Sequence, residues 1–376
     1  MQANILHSEP VSPGATGGLR ILIAGGGTGG HVIPALAIAR ELCDAYGAEV
    51  RLLGTARGVE TRLVPEAGFP LELMQVGQLA NVSLATRIKT LTDLPLGVLH
   101  CMRLIRSFRP QVVVGVGGYA SGPAMLAAIL LRVPTLIYEA NAVPGMVNRV
   151  LGKRVSDACV AFQETQQYFR HSEVTGVPVR REIFASGPLR TQPPRLLITA
   201  GSNGARVFNE TLPTIVEQLL NSVPGLSIVH QTGEKPFEAT SEQYRRLGLL
   251  EETVTVAPFL RDMPQQLASA TLVLARSGST VAELAAAGRP SLLVPFPQAA
   301  DDHQTKNALA MVRLGAAEML PQAELTPVTL LERLSSLLTN PMRLEEMSSH
   351  ARNAAKPNAL QRIAEKIVAL SPITAS

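Results

Sequence analysis

Short apolar segments rich in β-branched residues alternate along the chain with longer stretches in which apolar residues recur every three or four positions. This alternation is typical of parallel strands joined by covering helices. It predicts strands over residues 20–24, 49–53, 71–76, 111–116, 134–139 and 158–162 in the first half, and over 194–200, 225–231, 253–259, 271–276 and 290–296 in the second. The chain is therefore predicted to be an α/β protein.

The pattern restarts midway, which predicts two domains. A strand ending in alanine, a glycine loop and a helix occur at residues 24–31 and again at 200–206. Two doubly wound domains, covering residues 19–178 and 179–356, are the simplest arrangement. The last helical pattern, residues 357–371, could cover either sheet, and we place it with the first domain. Residues 1–18 are expected to form a mobile tail.

The composition excludes several classes of protein. Of the 376 residues, 46% are hydrophobic, 17% are charged and 4% are aromatic, which is unlike a disordered chain and offers little stacking surface for single-stranded nucleic acid. The formal charge of +4 is too small to indicate a nucleic-acid partner. The longest apolar stretch, residues 123–131, is shorter than a membrane span. The protein is therefore expected to be soluble or bound at a membrane surface.

A glycine loop, "AGGGTGGH" at residues 24–31, follows the first predicted strand and precedes a helix. Its Gly25, Gly27 and Gly30 match a dinucleotide-binding pattern, but the second strand ends in Gly54 and Thr55, without the acidic residue that would hold a ribose. A nicotinamide cofactor is therefore not expected. Bare amides before a helix form an anion site, although glycines also serve a plain tight turn.

His31 directly follows this loop, at the edge of the predicted sheet where doubly wound folds bind ligands. An imidazole can act as a base near neutral pH, but a histidine at a helix start also serves as a capping or packing residue. A second glycine turn, residues 114–123, again joins a strand to a helix. Two such turns on one edge favour a bound anion.

The second half contains a further candidate anion site, in which Gly278, Ser279 and Thr280 lie between a strand and a helix. Glu283 either completes a capping box with Thr280 or binds the two hydroxyls of a ribose whose phosphates lie on the amides. The next polar loop, taken alone, indicates a helix cap and solvated surface; it contains Asp301, Asp302, His303 and Gln304.

Seven segments carry a family resemblance: "GGGTGGH", "GVGGYASGP", "YEAN", "TGVPVR", "AGSNGAR", "RSGSTVAELAAAGRP" and "VPFPQAADDHQTKNA". In order and approximate spacing they resemble the motifs of the MurG family of bacterial peptidoglycan glycosyltransferases, and the resemblance spans residues 19–370. It implies a GT-B fold, with two Rossmann-like doubly wound domains facing a central cleft. It also implies an inverting transfer of N-acetylglucosamine from UDP-N-acetylglucosamine to the C4 hydroxyl of the muramoyl sugar of undecaprenyl-linked lipid I, which gives lipid II.

The resemblance also implies roles for individual residues, with the acceptor in the first domain and the donor in the second. His31 occupies the position of the general base, and His303 is the alternative. The acceptor pyrophosphate is expected at Gly26, Gly27, Gly117, Gly118, Tyr119 and Glu139. Donor binding is expected at Thr28, Gly29, Gly30, Asn141, Arg180, Ser202, Ser279, Thr280, Glu283, His303 and Gln304. The chain departs from the family's motifs at Ala140, Val177 and Asn203 and in a shorter loop before Thr280, which leaves the donor contacts of those turns open.

The sequence contains no D-x-D pair and no His/Cys cluster suited to a metal, so we expect helix dipoles to replace a cation and no cofactor. Residues 79–109 carry five basic residues against one acid, with leucines interspersed. The basic residues are Arg87, Lys89, Arg103, Arg106 and Arg109. They favour peripheral binding to the anionic inner face of the bacterial cytoplasmic membrane, although an ordinary surface helix with its apolar side in the core fits the pattern equally well.

Two other functions stay open at this point. A GT-B enzyme could act on another lipid acceptor, such as diacylglycerol. A sugar-nucleotide sensor without catalysis would not need His31. Other cell-wall synthesis proteins are further candidate partners.

Overall fold

The computed structural model describes residues 18–27, 29–56, 58–74, 84–118, 120–201, 204–299 and 302–372, without the side chains of 84–93. Apart from Gly18, the predicted tail lies outside these residues. The chain folds into two units. The first unit comprises the chain up to Pro178 together with the segment from Asn358, and the second unit comprises Val179–Pro357.

The first unit contains a parallel sheet, in which the described strands lie in the order β3-β2-β1-β4-β5-β6-β7. The strands are β1 (Arg20–Gly25), β2 (Glu49–Thr55), β3 (Leu71–Met74), β4 (Val112–Gly117), β5 (Thr135–Glu139), β6 (Asp157–Val160) and β7 (Glu173–Val174). The chain order reverses between β1 and β4, so the loops that follow these two strands meet at the switch point where such sheets bind ligands.

Helices cover both faces of this sheet. They are α1 (Gly29–Tyr46), α2 (Glu60–Glu66), α3 (Leu84–Phe108), α4 (Ser121–Leu130) and α5 (Met146–Leu151), with a last helix, α14 (Ala359–Ala369), described below. Because side chains alternate along a strand, Ile21 packs with Ile38 of α1, whereas Leu22 packs with Ile105 of α3 and Met125 of α4. The strand is therefore apolar on both sides, as a buried parallel strand should be.

The second unit repeats the architecture with the strand order β10-β9-β8-β11-β12-β13 among the described residues. Its strands are β8 (Arg195–Thr199), β9 (Ser227–Gln231), β10 (Val254–Ala257), β11 (Leu272–Ala275), β12 (Ser291–Leu293) and β13 (Ala317–Met319). Its helices are α6 (Arg181–Phe184), α7 (Arg206–Ser222), α8 (Phe237–Arg246), α9 (Met263–Ser269), α10 (Thr280–Ala287), α11 (His303–Arg313), α12 (Pro327–Leu338) and α13 (Pro341–Ala354). The switch point here lies between β8 and β11.

Helix α14 returns to the first unit after the whole second unit has been completed. Ile363 and Ile367 are buried with Ile21 of β1. The Arg362 guanidinium contacts both carboxylate oxygens of Glu173, at 3.0 and 3.1 Å. These hydrogen bonds hold the pKa of Glu173 below its usual range, against the opposing effect of burial. The helix is thus held by apolar burial and by charge.

The sequence pattern predicted the α/β class and the two doubly wound domains correctly, and each of its eleven predicted strands overlaps a strand of the structure. It missed β7 and β13, two edge strands of two and three residues. Among the described residues, none of the helices is both long enough and apolar enough to cross a membrane.

Candidate active site

The two glycine turns of the first unit lie against each other at the switch point. The Gly26 amide donates to the Gly117 carbonyl, with 3.3 Å between the nitrogen and the oxygen. Gly118 has a φ of +81°, and a Cβ on it would overlap the Gly26 carbonyl oxygen. Only glycine allows this approach. The prediction that both turns occupy one edge of the sheet is confirmed.

His31 lies in the first turn of α1, beside the glycine turn that follows β4. Its Nδ1 is 3.0 Å from the Val116 carbonyl oxygen. A carbonyl can only accept a hydrogen bond, so this contact places the proton of the neutral ring on Nδ1 and the lone pair on Nε2. A Cβ on Gly117 would lie 2.7 Å from the ring carbon Cε1. The half-buried ring is therefore fixed in position and in tautomer.

A carboxylate that sequence reasoning missed lies beneath the first glycine loop. Glu60, at the start of α2, is only 1% exposed. Its carboxylate accepts from the Gly27 amide at 2.8 Å and from the Thr55 amide and hydroxyl, each at 2.9 Å. Burial alone would raise the pKa of Glu60, but these donors outweigh it and lower the pKa. Glu60 is thus an ionised side chain at neutral pH.

These contacts change the expectation for Gly26 and Gly27. We expected both amides to bind the acceptor pyrophosphate, but they donate to Gly117 and Glu60 respectively. The next described residues, Gly29 and Gly30, begin α1, whose amino end carries the positive part of the helix dipole. The Gly26 and Gly27 amides are therefore engaged within the protein, and anion binding at the later part of the loop stays a prediction. Thr28 lies outside the described residues.

The polar turn after β5 is organised by Glu139, which is 4% exposed. Its carboxylate accepts from the backbone and side-chain nitrogens of Asn141, both at 3.0 Å, and from the Gly145 amide at 3.2 Å. The Asn148 side chain donates to it at 2.8 Å. Glu139 and Asn141 are thus in direct contact, although we expected one at the acceptor and the other at the donor, and Asn148, which lies in none of the seven motifs, joins them. Tyr119 lies outside the described residues.

In the second unit, two expected donor residues meet. A guanidinium nitrogen of Arg180 is 3.7 Å from a carboxylate oxygen of Glu283, and the two side chains are 52% and 31% exposed. Burial raises the pKa of Glu283 more than Arg180 lowers it. The capping-box alternative is wrong, because Ser279 is the N-cap and makes no side-chain cap hydrogen bond. A helix cap therefore does not account for an acidic residue at position 283.

The loop after β11 is tied to the start of α11. The Ser277 hydroxyl donates to the Gln304 carbonyl at 2.8 Å, and the Asn307 side chain donates to the Ser277 carbonyl at 3.1 Å. The Gln304 side-chain oxygen accepts from the Phe296 amide at 3.0 Å. The amino ends of α10 and α11 are thereby joined, which brings Ser279 and Thr280 together with His303 and Gln304.

Arg276 supports this loop from behind and was not predicted. Its guanidinium donates to the Val294 and Pro295 carbonyls, each at 3.0 Å, and to the Gln322 side chain at 2.6 Å. It also lies over the Phe208 ring, 5.3 Å from the centroid. Burial lowers the pKa of Arg276 to about 10, so the side chain stays charged. Within the described residues, no cluster of histidine, cysteine or acidic side chains could hold a metal ion.

The glycine loop after β8 is braced by Gln231, at the end of β9. The Gln231 side-chain nitrogen donates to the Gly201 carbonyl at 2.7 Å, and the side chain is 2% exposed. A Cβ on Gly204 would overlap the Thr232 carbonyl oxygen. This contact was also missed, because a glutamine at a strand end has no distinctive pattern. Ser202 and Asn203 lie outside the described residues.

The basic segment falls mostly on α3, which ends one residue before Arg109. This helix has an apolar face in the core and exposed apolar residues outside it. Val98, Cys101 and Ile105 are buried. Leu96 and Leu99, by contrast, are 66% and 48% exposed. Three of the expected basic residues, Arg103, Arg106 and Arg109, are exposed, and the side chains of Arg87 and Lys89 lie outside the description. The buried face agrees with an ordinary surface helix, and membrane binding stays a prediction.

Two Rossmann-like parallel sheets, each with a glycine loop at its switch point, make up the GT-B fold of glycosyltransferases. The family model "Glycosyltransferase family 28 N-terminal domain" matches residues 21–160, and "Glycosyltransferase family 28 C-terminal domain" matches residues 195–363. A crystal structure of Acinetobacter baumannii MurG superimposes with a TM-score of 0.80 at 36% identity, covering 93% of this chain and 99% of that chain. The chain belongs to the MurG family.

Relatives of known name agree with this assignment. A protein of Syntrophotalea carbinolica is 42% identical over 349 residues, which cover 92% of this chain and 97% of the relative. A protein of Stutzerimonas stutzeri is 44% identical over 349 residues, with the same coverage. Both are named UDP-N-acetylglucosamine–N-acetylmuramyl-(pentapeptide) pyrophosphoryl-undecaprenol N-acetylglucosamine transferase.

Proposed function

We propose that this chain transfers N-acetylglucosamine from UDP-N-acetylglucosamine to the C4 hydroxyl of undecaprenyl-linked lipid I, with inversion at the anomeric carbon, and so forms lipid II. Its relatives carry the name of this transferase. The observation that carries the proposal is the His31 ring, which is held by the Val116 carbonyl in the tautomer of a general base. A sensor without catalysis would not require this arrangement.

In the proposed reaction, Nε2 of His31 takes the proton of the acceptor hydroxyl as its oxygen attacks the anomeric carbon of the donor. The bond from that carbon to the diphosphate breaks, and UDP leaves with the bonding electron pair. The negative charge that develops on the diphosphate is stabilised by the amino end of α10, at Ser279 and Thr280. Protein dipoles thus do the work that a cation does in other enzymes.

Donor binding is assigned to the second unit. We place the uridine ribose at Glu283, whose carboxylate is partly exposed and pairs with Arg180 at only 3.7 Å. A carboxylate can accept from both ribose hydroxyls at once. Gln304 and His303 begin α11 beside the same loop and are assigned to the sugar. Ser202 completes the set assigned to this unit.

Acceptor binding is assigned to the first unit. The pyrophosphate is placed beside Gly117, Gly118 and Tyr119 and the amino end of α1. Glu139 is assigned a supporting role, because a carboxylate repels a phosphate and this one is already satisfied by Asn141 and Asn148. Gly26 and Gly27 are assigned no hydrogen bond to the pyrophosphate, because their amides already donate to other groups of the protein. They contribute only the shape of the loop.

Turnover tests the function directly. The purified chain is incubated with UDP-N-acetylglucosamine and either a soluble lipid I analogue or diacylglycerol, and the glycosylated product is quantified. We expect transfer to the lipid I analogue alone. Transfer to diacylglycerol alone would assign the chain to the alternative acceptor class, and binding of UDP without transfer to either would leave a sensor.

We also propose that the first unit binds the anionic inner face of the bacterial cytoplasmic membrane peripherally, because the acceptor is linked to a lipid. Exposed Leu96 and Leu99 lie on the same helix as Arg103 and Arg106. Apolar side chains that enter the interface and cations that attract anionic headgroups together give stable attachment. The basic segment completes the proposal with Arg87, Lys89 and Arg109.

Vesicle binding measures this attachment. Changing Arg103 and Arg106 to glutamate should weaken binding to anionic vesicles by at least about tenfold at low salt, since each cation near the surface contributes about 1 kcal/mol. A matched control changes the exposed Arg170 and Lys356 to glutamate, which alters the net charge equally. Equal binding of the unmodified chain to neutral and anionic vesicles would contradict the proposal.

A further inference from the structure

Glu60 is a buried carboxylate that lies outside every motif of the expected site. Its side chain fills the space beside three glycines. A Cβ on Gly26 or on Gly58 would overlap its carboxylate, and a Cβ on Gly54 would lie 2.6 Å from its Cγ. The carboxylate is therefore enclosed by backbone from the first glycine loop and from the end of β2.

The contacts of Glu60 lead stepwise to His31. Glu60 accepts from the Gly27 amide, and the neighbouring Gly26 amide donates to the Gly117 carbonyl. Gly117 in turn borders the His31 ring, whose Nδ1 contacts the carbonyl of the preceding residue, Val116. Each step is a direct contact. A shift of the loop at Gly27 would therefore displace both the turn after β4 and the ring that packs on it.

We propose that Glu60 is a positioning residue for the transfer step, holding the first glycine loop in the conformation that sets His31 and the amino end of α1 against the acceptor. This inference rests on the proposed function. Glu60 acts through the backbone and does not touch the substrate. It also removes the Gly27 amide from the anion site, so that the acceptor phosphate is directed to the amides that follow.

The charge of Glu60 is essential to this role. Its two oxygens accept three hydrogen bonds, from Gly27 and from the backbone and hydroxyl of Thr55. A glutamine of the same shape has one accepting oxygen, and its NH₂ group would face an N–H or O–H donor. Glu60→Gln therefore preserves volume but breaks part of the brace, which makes it the variant of choice.

The experiment compares the full-length chain with Glu60→Gln and with Glu66→Gln, a control at an exposed position of the same helix. We expect Glu60→Gln to lower kcat/KM for the lipid I analogue by about 10- to 100-fold, because a small misplacement of a catalytic group has an effect of that size. The Kd of UDP should stay unchanged, since the assigned donor residues at Arg180 and Glu283 belong to the second unit. The control should match the unmodified chain in both measurements.

A second variant displaces the carboxylate without changing its chemistry. In Gly58→Ala, the new methyl group would overlap Glu60 and push it away from Gly27. We expect the same loss of transfer with the same UDP affinity. A purely structural role would instead lower the melting temperature and UDP binding together with transfer, in proportion to the unfolded fraction, and this outcome would overturn the proposal.

Amide hydrogen exchange reports on the brace independently of turnover. In Glu60→Gln, residues 25–31 and 116–118 should exchange at least about tenfold faster than in the control. Residues 204–208 of the second unit should not change. If the unmodified chain transfers to no acceptor, the proposed function fails while exchange still decides whether Glu60 holds the loop. If exchange and transfer are both unaffected by Glu60→Gln, the positioning role is rejected and the function stands.

Discussion

The two glycine loops of this protein look alike in sequence but are held in opposite ways. The loop after β1 is braced by Glu60, a carboxylate that accepts from the Gly27 amide. The loop after β8 is braced by Gln231, an amide that donates to the Gly201 carbonyl. One brace is charged and engages an N–H group, whereas the other is neutral and engages a C=O group.

The difference teaches which parts of each loop are available to ligands. A carboxylate that engages an amide withdraws that amide from an anion, so the first loop offers its later amides at α1. An amide that engages a carbonyl withdraws a group that no phosphate would bind. Glycine loops of similar sequence therefore differ in their usable donors. The bracing residue, at the start of α2 for the first loop and at the end of β9 for the second, decides which donors these are.

The largest expected effect tests whether the two units divide the labour of the reaction. His31→Ala should lower kcat by a factor on the order of 10² to 10⁴, because it removes the proposed base, and should leave the Kd of UDP unchanged. His171→Ala, at an exposed position of the first unit, is the control. A near-normal kcat would remove His31 from the role, and a comparable loss in His303→Ala would assign it to that residue instead.

A smaller effect is expected when the neutral bracing residue of the second loop, Gln231, is replaced by a carboxylate like that of the first loop. Gln231→Glu places an acceptor-only group against the Gly201 carbonyl at a site that is 2% exposed. The free energy of unfolding should fall by about 2–3 kcal/mol at pH 8. The new carboxylate is buried and charged, cannot donate to the Gly201 carbonyl as the glutamine does, and gains no partner in exchange. Burial raises the pKa of such a glutamate, so the loss should shrink as the pH falls and the side chain becomes a donor again.

Denaturation at pH 8 and at pH 5.5 checks this expectation. Gln218→Glu, on the exposed face of α7, is the control and should change stability little at either pH. Unchanged stability of Gln231→Glu at pH 8 would show that the polarity of the brace does not matter, and the comparison between the loops would lose its physical basis.

The next effect concerns the donor side alone. Glu283→Gln should raise the Kd of UDP roughly five- to thirty-fold, because a hydrogen bond to a charged acceptor is about twice as strong as one to a neutral acceptor. The melting temperature of the ligand-free protein should stay the same, since a half-exposed ion pair with Arg180 contributes little. Calorimetry measures both quantities, with the exposed Glu217→Gln as control. Unchanged UDP affinity would return Glu283 to a structural role.

The smallest effect concerns another charged contact in the first unit. Here Arg362 of α14 and Glu173 of β7 join two segments that are far apart in the chain. Hydrogen bonds from Arg362 lower the pKa of Glu173 in the folded state. The stabilisation is therefore present above the ordinary glutamate pKa and is lost as the pH falls through the lower folded value. Glu173→Gln should reduce the free energy of unfolding by roughly 0.5–1 kcal/mol at pH 7. A reduction that persisted undiminished at pH 3 would contradict this charge-based account.

The sequence was most informative where a pattern extends over many residues. The strands were predictable because a buried parallel strand is a continuous apolar run, and the glycine turns were predictable because few other residues suit such turns. The two-residue strand β7 and the three-residue strand β13 are too short for periodicity to be read. Their place at the sheet edges is decided by pairing with a neighbour.

The bracing residues were not predictable for a different reason. Glu60 stands in the first turn of a helix, where an acidic residue usually complements the helix dipole at the surface. Its burial depends on three glycines from two separate segments. Asn148 and Gln231 likewise acquire their partners only through the fold. Single residues become informative when the backbone that surrounds them is known.

The return of α14 has a consequence for the order in which this protein is made. The second unit is continuous, so a ribosome releases all of it as one stretch. The first unit is interrupted, and Ile363 and Ile367, which pack with Ile21 of its first strand, emerge only after residue 357. Until α14 has been synthesised, the apolar surface of the first sheet that this helix covers therefore stays exposed. A chain stopped at residue 357 would keep that surface permanently.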